Sequence, residues 1–333
     1  MALLMQAAGL THSFGGNRVF RDLGFELHDG DRVALIGENG AGKSTLFRIM
    51  ARWLKPEAGT ITYKRNLVVG YLRQDSVAAP NQTLREAVAG AGSDVAGLEH
   101  RLRALEGRMA SESGDALSAT LSEYAACRER FDALDGYAHA ARVAAVLAGL
   151  GIAEERWDLP VAPMSGGERK IVGLARLLIE APEVLLLDEP DNHLDLAGKV
   201  WLETYIAGHA GAVAVISHDR YFLDRAVNRI FELESGGIHP YTGGYTAYRA
   251  EKQARLVRQE QLYDRKQREV KQLKRSAEQL TEWAKMNPKF AGRAQNRRRM
   301  LQAEQEDLAA TPAPLLNRNR IKVSLETRRG GTK

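Results

Sequence analysis

An α/β domain interrupted by an inserted α-helical subdomain, with an α-helical hairpin after it, is the fold the sequence predicts, and three observations carry that reading. Residues 33–50, VALIGENGAGKSTLFRIM, pass from an apolar strand through a glycine-rich turn into a helix. After Gln74 the composition shifts to Ala, Glu, Arg and Leu and the hydrophobic period changes from two to helical, returning to short apolar strands at 184–187 and 212–216. From Leu256 a heptad-like apolar stripe runs on toward the C-terminus.

The turn GENGAGKS fits G-x-x-x-x-G-K-[ST], with Gly37, Gly42, Lys43 and Ser44 in the fixed positions and Glu38, Asn39, Gly40 and Ala41 between them. Glycines let the backbone curl until successive N–H groups converge on an anion, and the helix that follows adds the positive end of its dipole. Lys43 suits the β- and γ-phosphates of a nucleotide as a point charge, and the Ser44 hydroxyl suits Mg²⁺. Nucleotide binding is therefore the premise from which the remaining residues are read.

The flanking segments agree with an α/β start. Residues 3–7, 19–27, 32–36, 60–63 and 67–72 read as strands and residues 44–53 as a helix. Phe14 lies in a polar, glycine-containing turn, where an aromatic either stacks on a base or covers the core. Val95, Leu98, Leu102, Leu105 and Met109 repeat at spacings of three and four; Leu117, Leu121, Tyr124 and Phe131 mark a second helix after a polar break. Two amphipathic helices joined by a short loop imply an antiparallel pair, so residues from about 83 to 150 are expected to form the helical insertion.

Chemistry returns at Ser165, Gly166, Gly167 and Glu168. This SGGE run precedes a helical stretch at 169–179, and small residues there suggest an anion-binding nest. The apolar strand 184–187 ends in Asp188 and Glu189, a pair that suits one carboxylate for Mg²⁺ and one to polarise water. The strand 212–216 ends in SHDR, which puts His218 at the sheet edge where open α/β folds bind ligands; a structural role for a lone histidine stays open at this point.

Composition bounds the class. A chain of 333 residues with 44% hydrophobic content supports two structural units. Its one cysteine, Cys127, excludes an internal disulfide framework and a cysteine-based zinc site, and a reducing, cytoplasmic setting is expected. The N-terminus lacks a basic leader, so no signal peptide is expected, and no apolar run approaches the roughly 18 residues of a membrane span. The net charge of +5 conceals an asymmetry: residues 252–299 hold 15 Lys/Arg against 5 Asp/Glu.

Taken in order, GENGAGKS, Gln74, SGGE, LLLDEP, NHLD and SHDR resemble the ATPase domain of ABC proteins. MSGGERK at 164–170, DEPDNHLD at 188–195 and ISHDRYFLDR at 216–225 resemble in particular the ABC-F family of tandem ATPases that act on the ribosome. The resemblance covers residues 1–248 as an ABC-type P-loop ATP-binding domain and 249–312 as a basic interdomain linker. It implies that residues 37–45, ending in Thr45, hold the triphosphate, that Phe14 stacks on adenine, and that Gln74 senses Mg²⁺ or the attacking water. It further implies Mg²⁺ at Ser44, Gln74 and Asp188, general-base work by Glu189, a γ-phosphate contact by His218, and closure of residues 165–168 over ATP held by the opposite ATPase domain. Asp191 departs from the family, which usually carries Thr there, and puts an extra carboxylate near the expected dimer interface.

The C-terminal stripe comprises Leu256, Tyr263, Val270, Ala277 and Ala284, reinforced by Leu273 and Leu280; after a break at Met286–Pro288 it resumes at Ala291, Ala294, Leu301 and Leu308. This pattern predicts a helical hairpin whose first arm is roughly 50 to 60 Å long. Lys285, Lys289, Arg293, Arg297, Arg298 and Arg299 gather near its tip. Same-sign charge there suits phosphate-rich nucleic acid, although a solvated spacer also carries charge. The resemblance makes the expected targets ribosomal RNA and tRNA. Residues 313–333, with a strand at 321–325, are expected to begin a second ATPase domain; either that domain or a second copy of the chain is the expected partner. A DNA-associated ATPase, the nucleotide-binding subunit of a transporter and an incomplete product with little turnover are the competing readings.

Overall fold

The computed structural model describes residues 2–14, 17–72, 82–90, 94–161 and 163–310. They divide into two compact units, Met1–Tyr248 and Arg249–Lys333. In the first unit the chain runs through β1 (Leu3–Phe14), β2 (Asn17–His28), β3 (Arg32–Gly37), α1 (Lys43–Met50), β4 (Ala58–Tyr63) and β5 (Val69–Tyr71). The helical insertion follows as α2 (Leu84–Ala89), α3 (Asp94–Met109), α4 (Asp115–Ala133) and α5 (Gly136–Gly149). The chain then returns through α6 (Gly166–Glu180), β6 (Val184–Asp188), α7 (Leu196–Gly208), β7 (Ala212–Ile216), α8 (Arg220–Ala226), β8 (Arg229–Glu234) and β9 (Gly237–Thr242).

Two sheets result. β2, β1 and β4 form an antiparallel sheet in that order, and β5-β6-β7-β3-β8-β9 form a six-stranded sheet, parallel except for its last strand. The central strands are apolar between their ends, where Arg32 opens β3 and Asp188 closes β6, because both faces are covered. Along β6, Leu185 and Leu187 enter the core shared with α2, α5, α6 and α7, while Val184 and Leu186 enter the core shared with β1, β2 and α1. The hairpin β8–β9 was not evident from hydrophobic period alone. Its signal is the two-residue turn Ser235–Gly236, both residues at positive φ (52° and 80°), the geometry that matches the twist of the flanking strands.

In the insertion, α3 and α4 pack antiparallel, with Arg101 on Glu123 and the Tyr124 hydroxyl on Glu106. Val95, Leu98, Leu102 and Leu105 pack against Cys127 and Phe131 as expected. The second stripe is corrected at one position: Leu121 is exposed, and Thr120 takes the inward place. A polar side chain is tolerated there because its hydroxyl accepts a hydrogen bond from Arg108 (3.0 Å) and bonds Glu112.

The second unit contains most of α9 (Tyr245–Met286), a 3-10 turn at Pro288–Phe290 and α10 (Ala291–Ala310). Asn287 opens the turn by accepting the Lys289 N–H at 3.1 Å. The arms run antiparallel, tied by Lys266 to Asp307, and the small residues Ala277 and Ala294 are the buried ones. Starting at Tyr245, before the apolar stripe, α9 reaches about 63 Å. The strand expected at 321–325 lies outside the described residues.

Candidate nucleotide site

Sheet order assembles the site. β6, β7 and β3 are adjacent and parallel, so their C-terminal ends deliver Asp188 and Glu189, then His218, then the glycine-rich turn to one edge. An open cleft of about 440 Å³ joins Asn39, Gly40, Gly42, Lys43, Ser44 and Thr45 with Asp188, Glu189 and His218. Gly42 is required by its conformation and by space: its φ is 98°, and a Cβ there would lie 2.1 Å from Val19 Cγ1. Gly37 is required by space, since its Cβ would lie 2.6 Å from the Leu233 carbonyl oxygen.

Lys43 donates to the carbonyls of Gly37 (2.9 Å) and Glu38 (3.0 Å), and the Ala41 N–H donates to the Glu38 carbonyl at 3.1 Å. Burial lowers the Lys43 pKa, opposed by the charges of Asp188 and Glu189. The Tyr71 hydroxyl donates to Asp188 Oδ2 at 3.3 Å; burial first, then the Asp188 charge, raise its pKa and keep it a donor. Glu189 has a left-handed backbone (φ 51°), with its N–H on the Ile216 carbonyl at 2.8 Å. Its carboxylate accepts from Asn192 Nδ2 at 2.7 Å and lies 3.6 Å from His218 Nε2. Strain of this kind, of order 1–3 kcal/mol, persists only where surrounding structure enforces it.

The donor set is hard. Ser44 and Asp188 offer oxygens to the same cleft, and among the described residues no cluster of three or more His, Cys, Asp or Glu forms a cage for a metal. Few protein oxygens beside a phosphate cradle fit Mg²⁺, which keeps water and substrate phosphate in its shell.

The SGGE residues do not line this cleft. Ser165 caps α6: the Glu168 N–H donates to its hydroxyl at 3.3 Å, and Glu168 Oε2 accepts the Ser165 N–H at 2.8 Å. Ser165 and Glu168 thus satisfy one another, a pairing that the nest expectation did not include. The Ser165 N–H first, then Arg156 and the Ser165 hydroxyl, hold the Glu168 carboxyl down to about 2. Glu168 lines a separate cavity of about 150 Å³ with Arg156, His193 and Asp195; Gly167 packs beneath the His193 ring, and Gly166 is exposed.

Other expectations fall differently. Phe14 ends β1 opposite Asn17, but its side chain lies outside what is described, as does Gln74 entirely. Asp191 is 6% exposed, with Lys199 Nζ at 4.0 Å from Oδ2, and so is packed inside the domain rather than presented at a surface. At the hairpin tip Lys285 pairs with Glu282 at 2.8 Å, the Arg293 guanidinium lies 5.9 Å from the Phe290 ring centroid, and Arg297 is half-buried toward Met300. Lys289, Arg298 and Arg299 are exposed. Tyr71 and Asn192, which touch the two acidic residues, were not singled out from sequence; only the placement of β5 beside β6 brings Tyr71 there.

Two family models described as ABC transporter match residues 20–192 and 231–315. The tylosin resistance ATP-binding protein TlrC of Streptomyces fradiae is 38% identical over 81% of this chain and 50% of its own length. YdiF of Bacillus subtilis is 34% identical over 93% of this chain and 47% of its own. The energy-dependent translational throttle protein EttA of Haemophilus influenzae is 35% identical over 81% and 47%. The chain thus spans about half the length of the curated relatives it matches. Among solved structures, an ATP-binding subunit of an ABC transporter superposes with a TM-score of 0.51 at 21% identity, covering 72% of this chain and 90% of that one. A bacterial Atm1-family exporter with ATP bound gives 0.54 at 20%, covering 75% and 40%. These superpositions establish the fold.

Proposed function

This chain belongs to the ABC family of ATPases, with ABC-F members among its relatives, and on that premise we propose that it binds and hydrolyses ATP to control a grip on ribosomal RNA and tRNA. The observation that carries the chemistry is the convergence of the glycine-rich turn, Asp188, Glu189 and His218 on one cleft. Residues 37–45 cradle the triphosphate. Ser44 and Asp188 would hold Mg²⁺, which would neutralise phosphate charge. Glu189, oriented by Asn192, takes a proton from the attacking water, and His218 contacts the γ-phosphate from the neighbouring strand end.

Ser165 to Glu168 lie outside that cleft, and this supports a division of labour in which they cover ATP held by another ATPase domain. That domain belongs to the same longer chain or to a second copy. A relative named for translational throttling supports action on translation, as does the exposed charge at the hairpin tip, and one named for tylosin resistance supports a part in resistance to an antibiotic. No helix among the described residues is long and apolar enough to cross a membrane.

Sedimentation through sucrose tests the target. Paired with a second ATPase domain, the Glu189→Gln protein is expected to travel with ribosomes in ATP and to remain behind without it. Reversal of Lys289, Arg298 and Arg299 to Glu is expected to weaken that association and to lower the log–log salt slope by nearly one per lost phosphate contact. Equal sedimentation with and without ATP overturns the proposal; retention by duplex DNA in place of ribosomes favours the DNA-associated reading.

A further inference from the structure

Behind the cleft lies a cluster that the reaction described above does not use. Asp191 is two residues beyond Glu189, and Asp219 is the residue after His218. Lys199, from the first turns of α7, faces both: its Nζ is 2.8 Å from Asp219 Oδ2 and 4.0 Å from Asp191 Oδ2. Asp219 is fixed on its other side, because Oδ1 accepts the N–H groups of Tyr221 (3.1 Å) and Phe222 (3.2 Å), and its own N–H donates to the Ser217 hydroxyl at 2.9 Å. Asp191 is held less completely. It is 6% exposed, and its Oδ1 has no hydrogen-bond partner among the described residues. A carboxylate so deeply placed is tolerated when a cation faces it, and removing that cation leaves an uncompensated charge in the turn that carries Glu189.

We propose that Lys199 is a positioning residue for ATP hydrolysis: by engaging Asp191 and Asp219 together it fixes the Glu189 turn relative to the His218 turn. The inference rests on the reading of Glu189 and His218 as the groups that act on water and the γ-phosphate. Among the described residues, direct ties between the two turns include the Glu189 N–H on the Ile216 carbonyl and the 3.6 Å approach of His218 to Glu189. Lys199 adds a further tie from a separate helix, which neither turn can supply itself. Without the Asp191 carboxylate, Lys199 would keep only the Asp219 half of this clamp. The glycine-rich turn takes no part, and nucleotide affinity should be spared.

The test combines kinetics with a readout that needs no turnover. Lys199→Gln is expected to lower kcat by about 10-fold, since small misplacements of reacting groups cost that much or more, with KM for ATP held within about 2-fold. Lys199→Arg should restore most of the loss. In an Asp191→Thr background the same Lys199→Gln change should cost about 3-fold or less, because the buried charge it would strand is gone. The ¹H–¹³C ring resonances of His218, assigned through His218→Gln, should move in Lys199→Gln while ATP titration stays unchanged. Asp219→Asn retains the acceptor that caps α8 and offers a second route to the same pattern should Lys199→Gln fold poorly. Unmoved His218 resonances, or equal losses in both Asp191 backgrounds, overturn the proposal. Wild-type hydrolysis that survives Glu189→Gln would instead overturn the underlying assignment of the base, and the His218 resonances report on the clamp in either case.

Discussion

Glu189, the proposed general base, has unusually specific surroundings. Its backbone is left-handed, one carboxylate oxygen accepts from Asn192, and the other faces His218. Gln has the same shape and retains an oxygen for Asn192, so Glu189→Gln should keep the fold and ATP affinity while removing the base. Hydrolysis should fall by about 10² to 10⁴. Single-turnover hydrolysis alongside a fluorescent-nucleotide titration checks both halves, and turnover equal to the wild type would remove Glu189 from the role. The residues that could be named from sequence are those whose spacing is dictated by a phosphate: Gly37, Gly42, Lys43 and Ser44 sit where a short turn must place them. Tyr71 and Lys199 could not be named that way. Each meets the site only through the order of strands or the packing of α7, and no local pattern encodes that neighbourhood.

Among the elements, α6 links a sequence signal to both packing and pH. Ser165 and Glu168 form a reciprocal cap, and Val172, Leu174, Ala175 and Leu178 bury the helix in the core beneath the six-stranded sheet. The helix expected at 169–179 starts at Gly166, and the S-x-x-E spacing ahead of an apolar run is the signal of that reciprocal cap which the sequence reading left unused. Phase was harder in α4, where Thr120 replaced Leu121 inside because its partners Arg108 and Glu112 come from the preceding helix and the loop after it. The Glu168 carboxyl, held at about 2 against an ordinary value of 4.5, makes a signed prediction. A depressed carboxyl contributes stability above its unfolded pKa, and that contribution is lost as pH falls from about 4.5 through about 2. With the side chain 34% exposed, solvent screening keeps the effect small. A ¹³C carboxyl titration of Glu168 should show the low midpoint, and Glu168→Gln should reduce the acid-induced fall in melting temperature. A midpoint near 4.5 would mean that the cap and Arg156 do not hold the charge in solution. Ser165→Ala, by removing one cap acceptor, should cost about 1 kcal/mol at neutral pH.

At the scale of the whole molecule, the sequence disclosed two units because their residues obey different periods, two along the strands and heptad-like along α9. That Glu168 and the glycine-rich turn line different cavities was implied only by the family resemblance, because no local pattern encodes the strand order of the six-stranded sheet. The separation has a consequence for turnover. If ATP in the cleft requires an SGGE run for closure, and the run in this domain faces elsewhere, a lone ATPase domain binds nucleotide without surrounding it. Closure then draws its free energy from the higher affinity of ATP for the paired state, and hydrolysis depends on the partner surface. On the function proposed above, that partner is a second ATPase domain rather than a second copy. Light scattering of the Glu189→Gln protein with ATP and Mg²⁺ should therefore report a monomer. Addition of a separately expressed second ATPase domain should give an ATP-dependent complex, and the wild-type chain should then hydrolyse ATP faster than either piece alone. A stable homodimer that forms with ATP and turns over briskly without the added domain would assign the partner surface to a second copy, with the cap residues of each chain covering the nucleotide of the other.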